Sequence, residues 1–156
     1  HYKDLHPDMI VTGKGQGNGF PISAVLANGR CAEVLRGYSD EFSSTHGGNP
    51  VACAAGLAVI EVFEPEEIVH DTYRNSDLLQ GRLTSSCQFP SEGKGMVAAI
   101  LTPSADVATE IVLKCREKGL LVVHTGKASV KIGPPLTISS EDLEKGLEIL
   151  MEVACG

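Results

Sequence analysis

The sequence predicts an α/β protein, and three observations carry that expectation. Short apolar runs alternate with amphipathic stretches over residues 87–156. Asn49-Pro50 opens a long run of small apolar residues with helical character. Glycine and proline clusters at Gly13–Gly19, Gly119 and Pro134-Pro135 punctuate the apolar segments where elements should end.

Taken in order, Asp8-Met9-Ile10-Val11-Thr12 is a short apolar run that stops at a glycine, which predicts a buried strand. Gly13 to Gly19 is a glycine-rich loop around Lys14, and Phe20 to Leu26 reads as a second strand. Cys31 to Leu35 predicts a single helical turn. Residues 37–48 form a polar loop with Ser43, Ser44, Thr45, His46, Gly47 and Gly48. Asn49 suits a helix cap and Pro50 the first helical position. The following VACAAGLAVIEVF is apolar nearly all round, the signature of a buried helix. Glu64-Pro65 marks a break. A more amphipathic helix follows, with Ile68, Tyr73, Leu79 and Leu83 as core contacts. Its end near Ser86 is the expected boundary between a first domain, residues 1–86, and a second, residues 87–156.

In that second domain Val97 to Leu101 reads as a strand. Val107, Ile111 and Cys115 share one helical face over Asp106 to Lys118, and Gly119 is placed to stop the helix. Leu120 to Val123 and Val130 to Ile132 are two further predicted strands, the latter ended by Pro134-Pro135. Ser139 and Asp142 resemble a capping box. Leu143, Leu147 and Leu150 line a final amphipathic helix. Strand and helix alternate, so residues 87–156 form a small α/β domain.

The chain has 156 residues, a formal charge of −7 and 42% hydrophobic residues. That size suits one ordinary soluble domain or parts of two. The acidic balance, with no basic block, argues against nucleic acid or an anionic membrane as partner. No run reaches the about 20 apolar residues a membrane span needs. The opening HYKDLHPD is polar, unlike a signal peptide, and begins without Met, so an upstream region is expected to be missing. Cys31, Cys53, Cys87, Cys115 and Cys155 are odd in number and widely spaced, with no CxxC. They read as reduced, mostly buried thiols of a cytosolic protein, and the acidic residues show no metal-binding spacing.

Three segments can carry chemistry. A lysine flanked by glycines at the end of an apolar strand, such as Lys14, can form a Schiff base with a carbonyl cofactor where the neutral amine is favoured. Taken alone, the loop favours a solvated surface lysine, and it lacks the Lys-Ser/Thr ending of a phosphate-binding P-loop. Ser44-Thr45-His46-Gly47-Gly48 brings hydroxyls and glycine amides to a helix N-terminus, a setting that suits a phosphate. Asn49 there needs no ligand to explain it, because it caps the helix. Lys131, beside the rigid Pro134-Pro135 turn, can meet a carboxylate, although a lone strand lysine is often just solvated. His46 can contact a cofactor or simply hold its loop, and His124 reads as structural.

Together these segments resemble one family. PDMIVTGKGQGNGFPISAVLA is similar to the segment of class III aminotransferases that carries the cofactor lysine. SSTHGGNPVACAAGLAVIE resembles the segment after it, GKGMVAAI the strand that opens the small domain, and EKGLLV, VKIGPPLTIS and EDLEKGLEIL the C-terminal pattern, all in order. The resemblance implies a type I pyridoxal-phosphate-dependent fold: the end of a large domain plus a small C-terminal α/β domain. It implies that Lys14 binds pyridoxal phosphate covalently and then moves a proton at the substrate α-carbon. Thr45, with Ser44 beside it, would bind the cofactor phosphate, the threonine acting across a homodimer or higher homo-oligomer. The reaction implied moves an amino group between an amine or amino acid and a 2-oxo acid. Lys131 stands where the family usually has an arginine that grips a substrate carboxylate, and a lysine offers a point charge in place of a two-pronged donor. The family's ring-nitrogen aspartate, stacking aromatic and phosphate loop precede the lysine and are not in this chain. An aminotransferase part inactive alone is therefore one expectation; a non-catalytic remnant that self-associates or binds a partner is the other. A phosphate-binding loop domain without activity would explain Lys14 but not the Pro-Pro-Leu segment.

Overall fold

A computed structural model describes residues 4–38, 41 and 44–155, with the side chains of Glu66 and Cys155 excepted. Ser43 lies outside the described residues. The chain divides into two compact units, residues 1–65 and 66–156.

In the first unit β1 (Met9–Thr12) pairs antiparallel with β2 (Ala24–Ala27), Met9 opposite Ala27 and Thr12 opposite Ala24. The expected second strand is shorter than Phe20–Leu26. Gly19 turns the chain at φ +104° and Pro21 has no N–H to donate, so pairing begins only at Ala24. The strand at residues 8–12 forms but is not buried: Val11 is 75% exposed. The sheet has only these two strands, which leaves its faces open. α1 (Gly29–Arg36) is two turns, not one, and is started by Asn28, whose Oδ1 accepts the amide of Cys31 at 3.0 Å. α2 (Pro50–Phe63) begins as foreseen, with Asn49 Oδ1 accepting the amides of Val51 at 2.9 Å and Ala52 at 3.2 Å. The expectation of a buried helix fails here too. Only Ala52 and Gly56 are buried, while Val51, Leu57, Ile60 and Val62 are exposed. The helix packs on the turn that holds Lys14, and that turn is too small to surround it.

α3 (Glu66–Ser86) belongs to the second unit, so the structure divides at Pro65 and not at Ser86. The reason is burial. Leu79 and Leu83 are sealed into the core beside Ile100, Val130, Leu147 and Leu150. Buried Asn75 ties the helix down: its Nδ2 donates to Ile138 O at 2.8 Å, and its Oδ1 accepts from Ser140 Oγ at 2.7 Å. Tyr73, expected in the core, is about half exposed, and Ile68 is half-buried.

The sheet of this unit is β3 (Ser91–Lys94), β4 (Val97–Leu101), β5 (Val123–His124) and β6 (Ser129–Ile132), in the order β3-β4-β6-β5 and antiparallel throughout. β4, α4 (Ala105–Glu117) and β5 form a crossover with a gap of one strand, and β6 fills the gap, so the alternation seen in sequence yields no parallel neighbours. The predicted strand Leu120–Val123 shrinks to its last residue plus His124. In the observed register Leu121 and Leu120 would face Gly133 and Pro134, beyond the end of β6. β3 escapes the apolar pattern because SEGK is polar; it closes on β4 at Gly93, where a Cβ would sit 2.4 Å from Val97 O. α5 (Ser140–Cys155) starts at Ser139, whose Oγ accepts the Asp142 amide at 3.0 Å and donates to its carboxylate at 2.9 Å. Leu143, Leu147 and Leu150 are buried as expected.

Among the described residues no helix is long and apolar enough to cross a membrane, and no group of three His, Cys, Asp or Glu side chains gathers. Among the described residues Cys31, Cys53 and Cys115 are free thiols. Only Cys115 of these is buried and Cys53 is exposed, so the thiols are not mostly buried; loose cover of α2 is the cause at Cys53.

Candidate functional site

The site of interest lies in the first unit and is built on α2. Lys14 opens a 3-10 turn, Lys14–Gly17, directly after β1. Its φ is +54°, in the left-handed region that a residue with a Cβ enters only at a cost of about 1–2 kcal/mol. Such a conformation persists where the surroundings impose it. Three backbone bonds wrap the turn: Gln16 N to Gly13 O at 3.3 Å, Asn18 N to Gly15 O at 3.1 Å and Phe20 N to Gly17 O at 3.0 Å. The Thr12 hydroxyl also donates to Gln16 Oε1. Gly17 is the buried residue of the turn and Lys14 is exposed.

Ser44 and Thr45 sit in the turn that enters α2. Gly47 N bonds Ser44 O at 2.9 Å, Asn49 N bonds His46 O at 3.2 Å, and Gly48 takes φ +68°. The first free amides of α2 are claimed by Asn49, and Pro50 has none. The helix N-terminus is thus closed by its own cap, as Asn49 suggests. The hydroxyls of Ser44 and Thr45 remain, with the amides of Thr45, His46 and Gly48, which have no partner among the described residues.

The two turns share one helix. Gly56, against which the Lys14 turn packs, is seven residues from Asn49, about 10 Å along the axis at roughly 1.5 Å per residue. A cleft of about 630 Å³ joins them. Gln16 and Ile22 bound it near Lys14, Ser44 and His46 on either side of Thr45, and Ala52, Cys53 and Gly56 on the helix. Lys14 and Thr45 are not themselves among its lining residues; the Ser44 hydroxyl and the loop amides at one end suit a phosphate, and the lysine turn borders the other end through Gln16. No carboxylate lines it among the described residues.

Lys131 belongs to the second unit. It is exposed on β6 between Ala99 and Val123, with its Cε 3.9 Å from where a Cβ of Gly133 would stand. His124 is structural, as its strand-end position suggests. Nδ1 accepts the Gly126 amide at 2.9 Å, so Nε2 carries the proton and faces Ala105 O at 3.3 Å. Sequence reading passed over Gln16, Ile22 and Gly56. A glycine inside an apolar helix, unfavourable by itself, was the available signal for Gly56.

The class III aminotransferase family profile matches residues 1–154. Acetylornithine aminotransferase of Archaeoglobus fulgidus is 36% identical over 97% of this chain, and the mitochondrial acetylornithine aminotransferase of Saccharomyces cerevisiae 34% over 93%. The solved acetylornithine aminotransferase of Elizabethkingia anophelis superposes on 99% of the chain with TM-score 0.81 and 29% identity. The chain belongs to the class III aminotransferases, a family that uses pyridoxal phosphate, and its α/β fold is that of the corresponding part of a transaminase. It spans 38% of the Archaeoglobus enzyme's length, 35% of the yeast enzyme's and 42% of the solved Elizabethkingia chain.

Proposed function

We propose that this chain supplies the lysine and phosphate-contacting part of an aminotransferase that moves an amino group between an amine or amino acid and a 2-oxo acid. The observation that carries the reading is the Lys14 turn seated on the same helix whose entry turn presents Ser44 and Thr45. Pyridoxal phosphate, when bound, supplies a reactive carbonyl and an electron-withdrawing ring. Lys14 Nζ holds the cofactor and then, released, takes and returns the proton at the substrate α-carbon. Thr45 and Ser44 hydroxyls donate to phosphate oxygens, Thr45 toward a partner protomer of a homodimer. Lys131 Nζ offers a point charge to a substrate carboxylate. The names of the relatives favour a donor of the ornithine type. The free thiols accord with a reducing, cytoplasmic setting.

By itself the chain has little or no activity on this reading, because Lys14 and Thr45 are both exposed and neither lines the cleft beside them. The assay is turnover of a 2-oxo acid with an amine donor and added cofactor. No turnover is expected, together with an absorbance change on cofactor addition that the Lys14→Ala variant lacks. Amine-dependent turnover by the chain alone would overturn the incompleteness, and no absorbance change would overturn cofactor binding.

A second reading, a non-catalytic module that self-associates, is favoured by the apolar surface of the first unit. Val11, Val25, Leu26, Leu57 and Ile60 are each more than half exposed. Sedimentation of the chain across a hundredfold concentration range separates the two: a stable oligomer without any cofactor-dependent absorbance supports the module.

A further inference from the structure

The left-handed conformation of Lys14 needs something to impose it, and the backbone bonds of its turn are local ones that a loop can exchange for water. The non-local contact is Ile22. A Cβ built on Gly17 would fall 2.6 Å from Ile22 Cγ2, so the side chain lies flush on the bare backbone of the Lys14 turn. On its other branch, Ile22 Cδ1 lies 3.2 Å from the Cβ position of Gly56 on α2, and the same position is 3.8 Å from Gln16 O. One isoleucine is thus wedged between two glycines, one in the lysine turn and one in the helix. Gly56 is also one of the two buried residues of α2.

We propose that Ile22 is the positioning residue of this site: by filling the space between Gly17 and Gly56 it locks the Lys14 turn onto α2 and aims the lysine amine. This rests on the reading of Lys14 as the cofactor lysine. The branched shape of Ile22 is what matters. Each glycine meets a different methyl of it, which gives a specific pattern of rescue. Gly56→Ala crowds Cδ1, and Ile22→Val removes that methyl. Gly17→Ala crowds Cγ2, which valine retains.

The test uses the full chain with four variants: G56A, G17A, G56A/I22V and G17A/I22V. Hydrogen exchange at the amides of Gln16, Asn18 and Phe20 reads the turn without any cofactor, with the amides of β4 and α4 as the control for folding. Borohydride trapping of added pyridoxal phosphate, with peptide mapping, reads attachment at Lys14 relative to exposed Lys127. G56A is expected to speed exchange in the turn and lower the Lys14:Lys127 ratio about tenfold, against the roughly hundredfold cost of a 1 Å misplacement. I22V should restore G56A to near the parent and leave G17A unrepaired. Unchanged exchange in both single variants, or equal rescue of both by I22V, overturns the proposal. If the parent attaches nothing at Lys14 while the exchange pattern holds, the cofactor reading falls and the wedge stands.

Discussion

On the proposed reading Ser44 and Thr45 act through their hydroxyls, since Asn49 already occupies the amides that a helix N-terminus would offer. A hydrogen bond to a charged group contributes about 1.5–3 kcal/mol. Thr45→Ala is therefore expected to weaken pyridoxal phosphate binding by at least tenfold in a fluorescence titration, with Asn49→Ala acting mainly on helix stability. The thiols differ in the same local way. Cys53 is exposed in the cleft, whereas burial pushes the Cys115 thiol up from its usual range. Alkylation followed by mass spectrometry should modify Cys53 quickly and Cys115 only as the chain unfolds. The candidate site residues Lys14, Ser44, Thr45 and Lys131 stand out in sequence because each sits in a short local pattern. Ile22 and Gly56 were not, since the meaning of each comes from a residue distant in the chain.

Element boundaries follow local caps where caps exist. Asn49-Pro50, Gly119 and Ser139 were readable and stand where expected. Removing the Ser139 hydroxyl, Ser139→Ala, should cost about 1 kcal/mol in urea unfolding. The Asp142 carboxyl is held below its ordinary value of 3.8, first by the Ser139 hydroxyl and then by Lys145. A carboxyl depressed in the folded state stabilises above its unfolded value and loses that contribution as pH falls through the folded one. The effect of S139A should therefore shrink below about pH 4. Strand ends were less legible because pairing decides them. β5 is short because Gly133 and Pro134 offer residues 120–121 no strand to join, and polar β3 exists because it pairs with β4. Gly93→Ala sets a methyl against the Val97 carbonyl backbone, which cannot swing aside, and should destabilise the second unit by about 2–3 kcal/mol.

At the scale of the molecule, apolar pattern predicted burial well in residues 66–156 and poorly before them. Leu79, Ile100, Val130 and Leu150 share one core. Met9, Ile10, Val11 and the apolar face of α2 carry equally apolar sequence, yet stay exposed because the described residues of their own unit form just a strand pair, a turn and two helices. A run such as VACAAGLAVIEVF says that a helix suits a buried place, and the pattern cannot say what covers it. Unit stabilities should differ accordingly. Native-state hydrogen exchange is expected to show β4, α4 and α5 protected well beyond β1, β2 and α2. Whether this class III chain keeps its cofactor lysine at Lys14 is decided by adding pyridoxal phosphate, reducing with borohydride and mapping the modified peptides. The label is expected on Lys14 in clear excess over exposed Lys127 and Lys131; label spread evenly over exposed lysines, or absent from Lys14, would show that Lys14 is not the cofactor lysine.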